Sequence, residues 1–355
     1  MKEFDYFKLF SLSSEHLLLK DRLGRSQYFT YRGNDIFSPL VSELIYNSGF
    51  RPEYPQGKKF AVCLSHDIDA LYSTEATPLY KGGLKNIFDI SRFEIKRRLN
   101  VLKKRSLNAE WSVEKTLNIE GNYDVKSTFY FLSLLSGEQD YNYDVNEITD
   151  QFKMVKDAGS EIGLHGGHQA YIDFDKLSKE KKQLAEISDS EIVGYRNHYL
   201  RFTTPESWLN LQNCGFKYDT TLGYSDCVGF RNGMCYPFYP YDYNNNVFLN
   251  IVELPLVVMD VTILSYMKLT SESAFALFKD LVKKVKAVNG VFTLLWHNNY
   301  MVGEWGKFYA KCIEFLNMEN AWFATSSDIT NWYSEKGYLN QIRDIINSEV
   351  INKNG

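Results

Sequence analysis

Long apolar runs are absent from this chain: none reaches the ~18 consecutive residues that suggest a membrane-spanning helix. The first residues, Met1-Lys2-Glu3-Phe4-Asp5, lack the features of a signal peptide. Cysteine is sparse. The five, Cys63, Cys214, Cys227, Cys235 and Cys312, are odd in number and hold no CxxC pair, which argues against a disulfide framework. Reduced thiols in a cytoplasmic protein are the expectation. A basic surplus is missing too; a formal net charge of −4 and a pI near 5.9 speak against nucleic acid as a partner. No internal repeat and no low-complexity segment stands out. Histidine is scarce, and the positions of the six, His16, His66, His165, His168, His198 and His297, carry the most information.

What is present is a set of short apolar runs that end in ionisable residues. Phe60 to Leu64 reads as a buried strand that stops at His66, Asp67 and Asp69. Strand alternation puts Asp67 and Asp69 on one face and His66 on the other. Two carboxylates so placed repel, and a bound cation or a shared proton must offset that. Glu161-Ile-Gly-Leu-His165-Gly-Gly-His168, Ile192-Val-Gly-Tyr-Arg196-Asn-His198 and Gly290-Val-Phe-Thr-Leu-Leu-Trp-His297 have the same format. In α/β folds with parallel strands, sites form at the carboxyl ends of strands. Histidine and aspartate gathered there are ligands typical of zinc or a similar divalent ion.

At these residues the chain resembles the polysaccharide deacetylases, carbohydrate esterase family 4. The ordered motifs are Asp67/Asp69, His165 with its glycines, Arg196, and Leu294-Leu295-Trp296-His297; Ser127-Thr128-Phe129-Tyr130-Phe131 resembles the strand after the first motif. The resemblance spans roughly residues 58–330. It implies a distorted (β/α) barrel and metal-dependent removal of an acetyl group from a sugar, N-acetyl before O-acetyl. Asp67 matches the general base, Asp69 a metal ligand, His165 the first metal histidine, Arg196 the arginine that orients the base, and His297 the general acid. Asp260 is the candidate carboxylate that keeps His297 charged. Leu294 matches a pocket-lining residue, and Trp296, Tyr199 and Arg231 join it as substrate-binding candidates. Arg231 reads either as a contact for an anionic substrate group or as a structural salt bridge.

Two departures stand out. Ile68 separates aspartates that are adjacent in most of the family, the spacing of a variant branch with a His-Asp-x-Asp first motif. A second metal histidine is expected four residues after His165, where the chain has Gln169. The missing ligand is His198, on the strand face of Arg196, or His168, if the segment after His165 is helical. If neither serves, the metal is weakly held or absent, and a glycan-binding pseudoenzyme is the rival reading. Another metal-assisted hydrolase or transferase on the same barrel is a further rival.

The expected organisation is an N-terminal region (1–57), a deacetylase-like barrel (58–335) with a basic helical insertion (73–125), and a C-terminal helix or tail (336–355). Lys85 to Leu107 carries eight basic residues at helical period. It reads as a solvated face, or as a lid meeting an anionic lipid-linked or nucleotide sugar or the membrane surface. Expected partners are thus an acetylated sugar, nucleotide sugar or lipid-linked glycan, in surface-polysaccharide assembly.

Overall fold

The computed structural model describes residues 5–30, 35–73, 106–107, 111–134 and 143–354. The sheet is built from the apolar runs. Its strands are β1 (Phe60–Ile68), β2 (Ser127–Phe131), β3 (Glu161–Gly166), β4 (Gly194–Asn197), β5 (Tyr218–Asp219), β6 (Val252–Glu253), β7 (Val258–Met259), β8 (Val291–Leu295) and β9 (Ala321–Phe323). All pair in parallel, in the order β6-β5-β4-β3-β2-β1-β8-β7, with β9 beside the start of β1. Parallel strands are covered on both faces, so they need no polar alternation, and every residue of β1 is buried. Among the described residues no ladder joins the edge strands β6 and β7, which leaves a seam in the barrel.

Around the sheet run α1 (Tyr6–Ser11), α2 (Leu40–Asn47), α3 (Val113–Gly121), α4 (Thr149–Asp157), α5 (Phe174–Ser188), α6 (Glu206–Asn213), α7 (Ser271–Ala287), α8 (Gly303–Met318), α9 (Ser326–Glu335) and α10 (Tyr338–Asn354). Their starts follow capping chemistry. The Asp173 and Thr270 side chains accept backbone N–H bonds at the heads of α5 and α7, and Thr325 with Asp328 closes a capping box on α9. On α7 the buried residues Ala274, Phe278, Leu281, Val282 and Val285 recur at helical spacing and form the stripe that faces the core. Inside the sheet, tyrosines lie over glycines of the neighbouring strand. A Cβ added to Gly163 would stand 2.5 Å from the Tyr130 ring, and one on Gly194 2.0 Å from the Tyr218 hydroxyl.

The basic helix expected from Lys85 onward lies outside the described residues; Ser106–Leu107 alone is seen, as a short antiparallel partner of Tyr72–Ser73. No helix among the described residues is long and apolar enough to cross a membrane. Apolar residues from before position 58, among them Phe10, Val41, Ile45, Phe50 and Tyr54, join the same buried cluster as the sheet. Polar ties hold them there: Val41 and Ser42 N–H groups donate to the Gly233 carbonyl, and Arg231 donates to both Glu15 oxygens at 2.7 and 2.6 Å.

Glu15 and Arg231 are both buried, so removing one partner strands a charge. Arg231→Ala is expected to cost about 3–5 kcal/mol. Urea unfolding checks this against the double variant Glu15→Gln with Arg231→Met, which should lose less because neither charge is left behind.

Candidate active site

The carboxyl ends of β1, β3, β4 and β8 meet around one cavity of ≈ 180 Å³. Its lining includes Asp67, Asp69, His198, Tyr199, His297 and Tyr300. Behind Asp67 is Arg196, fully buried at the end of β4. Its Nη1 donates to Asp67 Oδ1 at 3.0 Å and Ser65 Oγ at 2.9 Å, its Nε and Nη2 donate to Thr220, and its guanidinium carbon lies 4.6 Å from the centre of the Tyr130 ring. Burial opposes the arginine's charge, but Asp67 outweighs it and raises the guanidinium pKa further. Asp67 is thereby held in one orientation, with Oδ2 turned toward His165 Nε2, 3.6 Å away.

His165 Nδ1–H donates to the Arg196 carbonyl at 3.0 Å. That bond places the free lone pair on Nε2, which faces Asp69 Oδ1 at 3.4 Å and His198 Nδ1 at 3.0 Å. His198 Nδ1 is 3.5 Å from the same Asp69 oxygen. Asp69, His165 and His198 can each aim one ligand atom at a common point, with those atoms within 4.8 Å of one another. Asp69 Oδ1 is buried with no hydrogen-bond donor. Burial pushes Asp69 up, yet the charges of His198, His165 and His297 outweigh it and hold the carboxyl well below its usual range. An orphaned carboxylate oxygen between two imidazole nitrogens fits a divalent cation, with room in the cavity for a fourth ligand.

Across the cavity, Asp260 accepts from the His297 backbone N–H and from its Nδ1–H, both at 2.7 Å. This leaves Nε2 toward the cavity, 3.8 Å from Asp69 Oδ2. Burial would lower the imidazole pKa, but Asp260 and the site aspartates lift it to about 10.

The expected residues sort as follows. Asp67, Asp69, His165, Arg196, His198, His297 and Asp260 come together, and Tyr199 lines the cavity wall. His168 does not reach the ligand point. The chain after β3 turns rather than forming the helix its candidacy required, and the His168 ring stacks on His198 at 5.2 Å. Arg231 is taken up by Glu15 and the Gly223 carbonyl and does not line the cavity. Leu294 is buried within β8 opposite Leu64, and Trp296 packs on Phe308 and Tyr309; neither lines the cavity. His198 is carried by a turn just past β4, not by the strand, because the ladder stops at Asn197. Arg25, Leu200, Met259, Val261, Tyr266 and Asn299 complete the lining, and these and Tyr300 were missed. Leu200 and Asn299 neighbour a motif histidine closely enough to have been found, whereas nothing in the sequence marks Arg25.

No protein-family model matches the chain, and no curated protein does. Among solved structures, a protein from Mycobacterium smegmatis assigned as a polysaccharide deacetylase superposes with a TM-score of 0.56 at 20% identity, over 81% of this chain and 94% of that one. The fold is that of the polysaccharide deacetylase barrel. Peptidoglycan deacetylase PdaC from Bacillus subtilis matches at TM-score 0.40 and 12% identity (82% of this chain, 98% of that one). The family 4 pseudoenzyme BA3943 from Bacillus anthracis matches at 0.42 and 12% (78% and 66%).

The pH dependence of the His297–Asp260 pair has a definite sign. Its folded pKa of about 10 lies above the free imidazole's, so its stabilisation is complete below ~6.5 and is lost as pH climbs through about 10. In metal-free protein the urea midpoint advantage of the parent over Asp260→Asn should be largest below pH 6.5 and shrink up to pH 10.

Proposed function

We propose that this chain is a metal-dependent deacetylase that hydrolyses the N-acetyl group of a sugar. The observation that carries the reading is the convergence of one arginine-bound aspartate, a three-residue ligand set and a carboxylate-bound histidine around a single cavity. Asp69, His165 and His198 would hold a divalent ion, zinc in our reading, which would supply a water acidic enough to attack at neutral pH and would polarise the acetyl carbonyl. Asp67, aimed by Arg196, is placed to take up a proton from the attacking water. His297, kept protonated by Asp260, gives its Nε2 proton to the departing sugar nitrogen. An amine leaves only when protonated, whereas an alkoxide can leave without that help, so a standing acid with a pKa near 10 favours the amide over the ester.

The pseudoenzyme reading drew on Gln169. Against it stands His198, which brings a third donor to the place that glutamine leaves short. The free state of all five cysteines suits a reducing compartment, so we place the reaction inside the cell, on a nucleotide-sugar or lipid-linked sugar bound for surface-glycan assembly.

Acetate release from acetylated sugars, read with bound metal, tests the roles. Asp67→Asn is expected to abolish turnover and keep the metal, since it removes the base and no ligand. His297→Ala should lower kcat by roughly 10²–10⁴. Near-normal turnover in Asp67→Asn would sink the base assignment.

The ligand set has its own test. Zinc content should collapse in His198→Ala and persist in His168→Ala. Full zinc in both variants would overturn the three-ligand site.

A further inference from the structure

The cavity has a wall that the strand-end residues do not provide. Arg25 lies in a short turn before α2 in which Asp21 Oδ1 accepts from the backbone N–H groups of Leu23 and Arg25. Asp21 Oδ2 also receives the arginine's Nε and Nη2, each at 2.7 Å. The guanidinium then reaches outward in two directions. Nη1 donates to the Tyr199 carbonyl at 3.1 Å and Nη2 to the Tyr266 hydroxyl at 2.9 Å.

These two acceptors belong to opposite sides of the open barrel. Tyr199 follows β4, and Tyr266 ends the helical turn Thr262–Tyr266 after the edge strand β7. In the sheet order β4 and β7 are separated by the whole run of β3, β2, β1 and β8, or, the other way round, by β5, β6 and the unpaired seam. Arg25 therefore bridges the two sides of the molecule at the side where backbone pairing does not close it. Arg201 secures the same turn, donating to the Leu23 carbonyl at 3.1 Å and to the His168 carbonyl at 2.6 Å. The buried Glu15–Arg231 pair anchors the segment just before it. The turn is thus tied down at its middle and just before its start.

Arg25 is 7% exposed and lines the cavity together with Asp67, Asp69 and His297. At ≈ 180 Å³ the cavity is smaller than the roughly 300–1,000 Å³ common for drug-sized ligands. It has room for about one sugar ring. An internal unit of a polymer carries a neighbour on each side and needs two exits; a terminal or single unit needs one.

We propose that Arg25 is a specificity-determining residue: the turn it rides on closes one side of the pocket, so the site takes a single or chain-terminal acetylated sugar and excludes internal units of a polymer. This rests on the deacetylase reading above and sharpens its substrate class. A sugar whose other end bears a bulky group, as in a nucleotide or lipid-linked sugar, fits a pocket with one exit. The strut depends on a planar fork that spans two acceptors while holding a carboxylate, which an ammonium cannot reproduce.

The test uses the zinc-loaded full chain and N-acetylglucosamine oligomers of one to five units, with acetate release measured and the deacetylated unit located by mass spectrometry. The parent should lose acetyl from one end unit only, at a rate per chain nearly independent of length. Arg25→Ala and Arg25→Lys should both begin to deacetylate internal units, and kcat/KM for the monomer should fall about tenfold, chiefly through KM. Their zinc content should equal the parent's, which separates this role from a loss of folding. Internal deacetylation by the parent, or an unchanged pattern in both variants, overturns the proposal and leaves the deacetylase reading standing. If no oligomer releases acetate, the deacetylase reading fails instead, and calorimetry of the same oligomers decides the pocket. Affinity independent of length supports one closed side; affinity that grows with length, or no binding at any length, overturns it.

Discussion

A fully buried guanidinium organises this site. Arg196 touches β1 through Ser65 and Asp67, the residue after β5 through Thr220, and β2 through the Tyr130 ring, while its own carbonyl fixes His165 at the end of β3. Burying such a charge is expensive unless every donor is used and a counter-charge lies close. Here the counter-charge is Asp67, so satisfying the arginine also pins that carboxylate. The same side chain that the sheet must accommodate therefore sets the orientation of both Asp67 and His165.

Other polar networks brace the strand ends from behind. His66 points away from Asp67, as strand alternation requires, and its Nδ1–H donates to the Trp296 carbonyl at 2.7 Å. Its Nε2 lies 2.8 Å from Glu120, which also accepts from Ser127 and Tyr309. This network links β1, α3 and α8 and steadies the backbone one residue before His297. Beside Arg196, Asp219 and Glu253 lie close together on paired strands. Burial raises both carboxyls above their usual range; Asp219 raises Glu253 further, whereas the hydrogen bond from Glu253 acts to lower Asp219. Thr221, held by Asp219 Oδ1, passes the constraint to the Asn197 N–H, next to His198.

Much of the fold was legible in the chain. The runs Phe60–Leu64 and Gly290–Leu295 are largely apolar without alternation, which suits strands covered on both faces, and they fold as such. The ionisable residues that end them were legible for the same reason: a buried run that stops at Asp or His must stop where something solvates or binds it. Legibility fell off where the period changed. The argument for His198 assumed a strand face shared with Arg196, but the ladder ends at Asn197 and a tight turn, with Tyr199 at φ 61, delivers the imidazole instead. For Arg231 a structural salt bridge was one of two readings, but its partner, Glu15, could not be named because it is distant in sequence.

By itself the sequence determined the local rules: which runs are strands, which residues sit at their carboxyl ends, and which face of β1 carries both aspartates. These depend on side-chain period and burial, which neighbouring residues carry. Only the tertiary structure decided which histidine gathers with Asp69 and His165, that Arg231 belongs to an internal ion pair, and that Arg25 stands in the wall of the cavity. Each of those depends on distances between residues far apart along the chain. Such distances are set by sheet order and by where the barrel is left open, not by any short stretch of sequence.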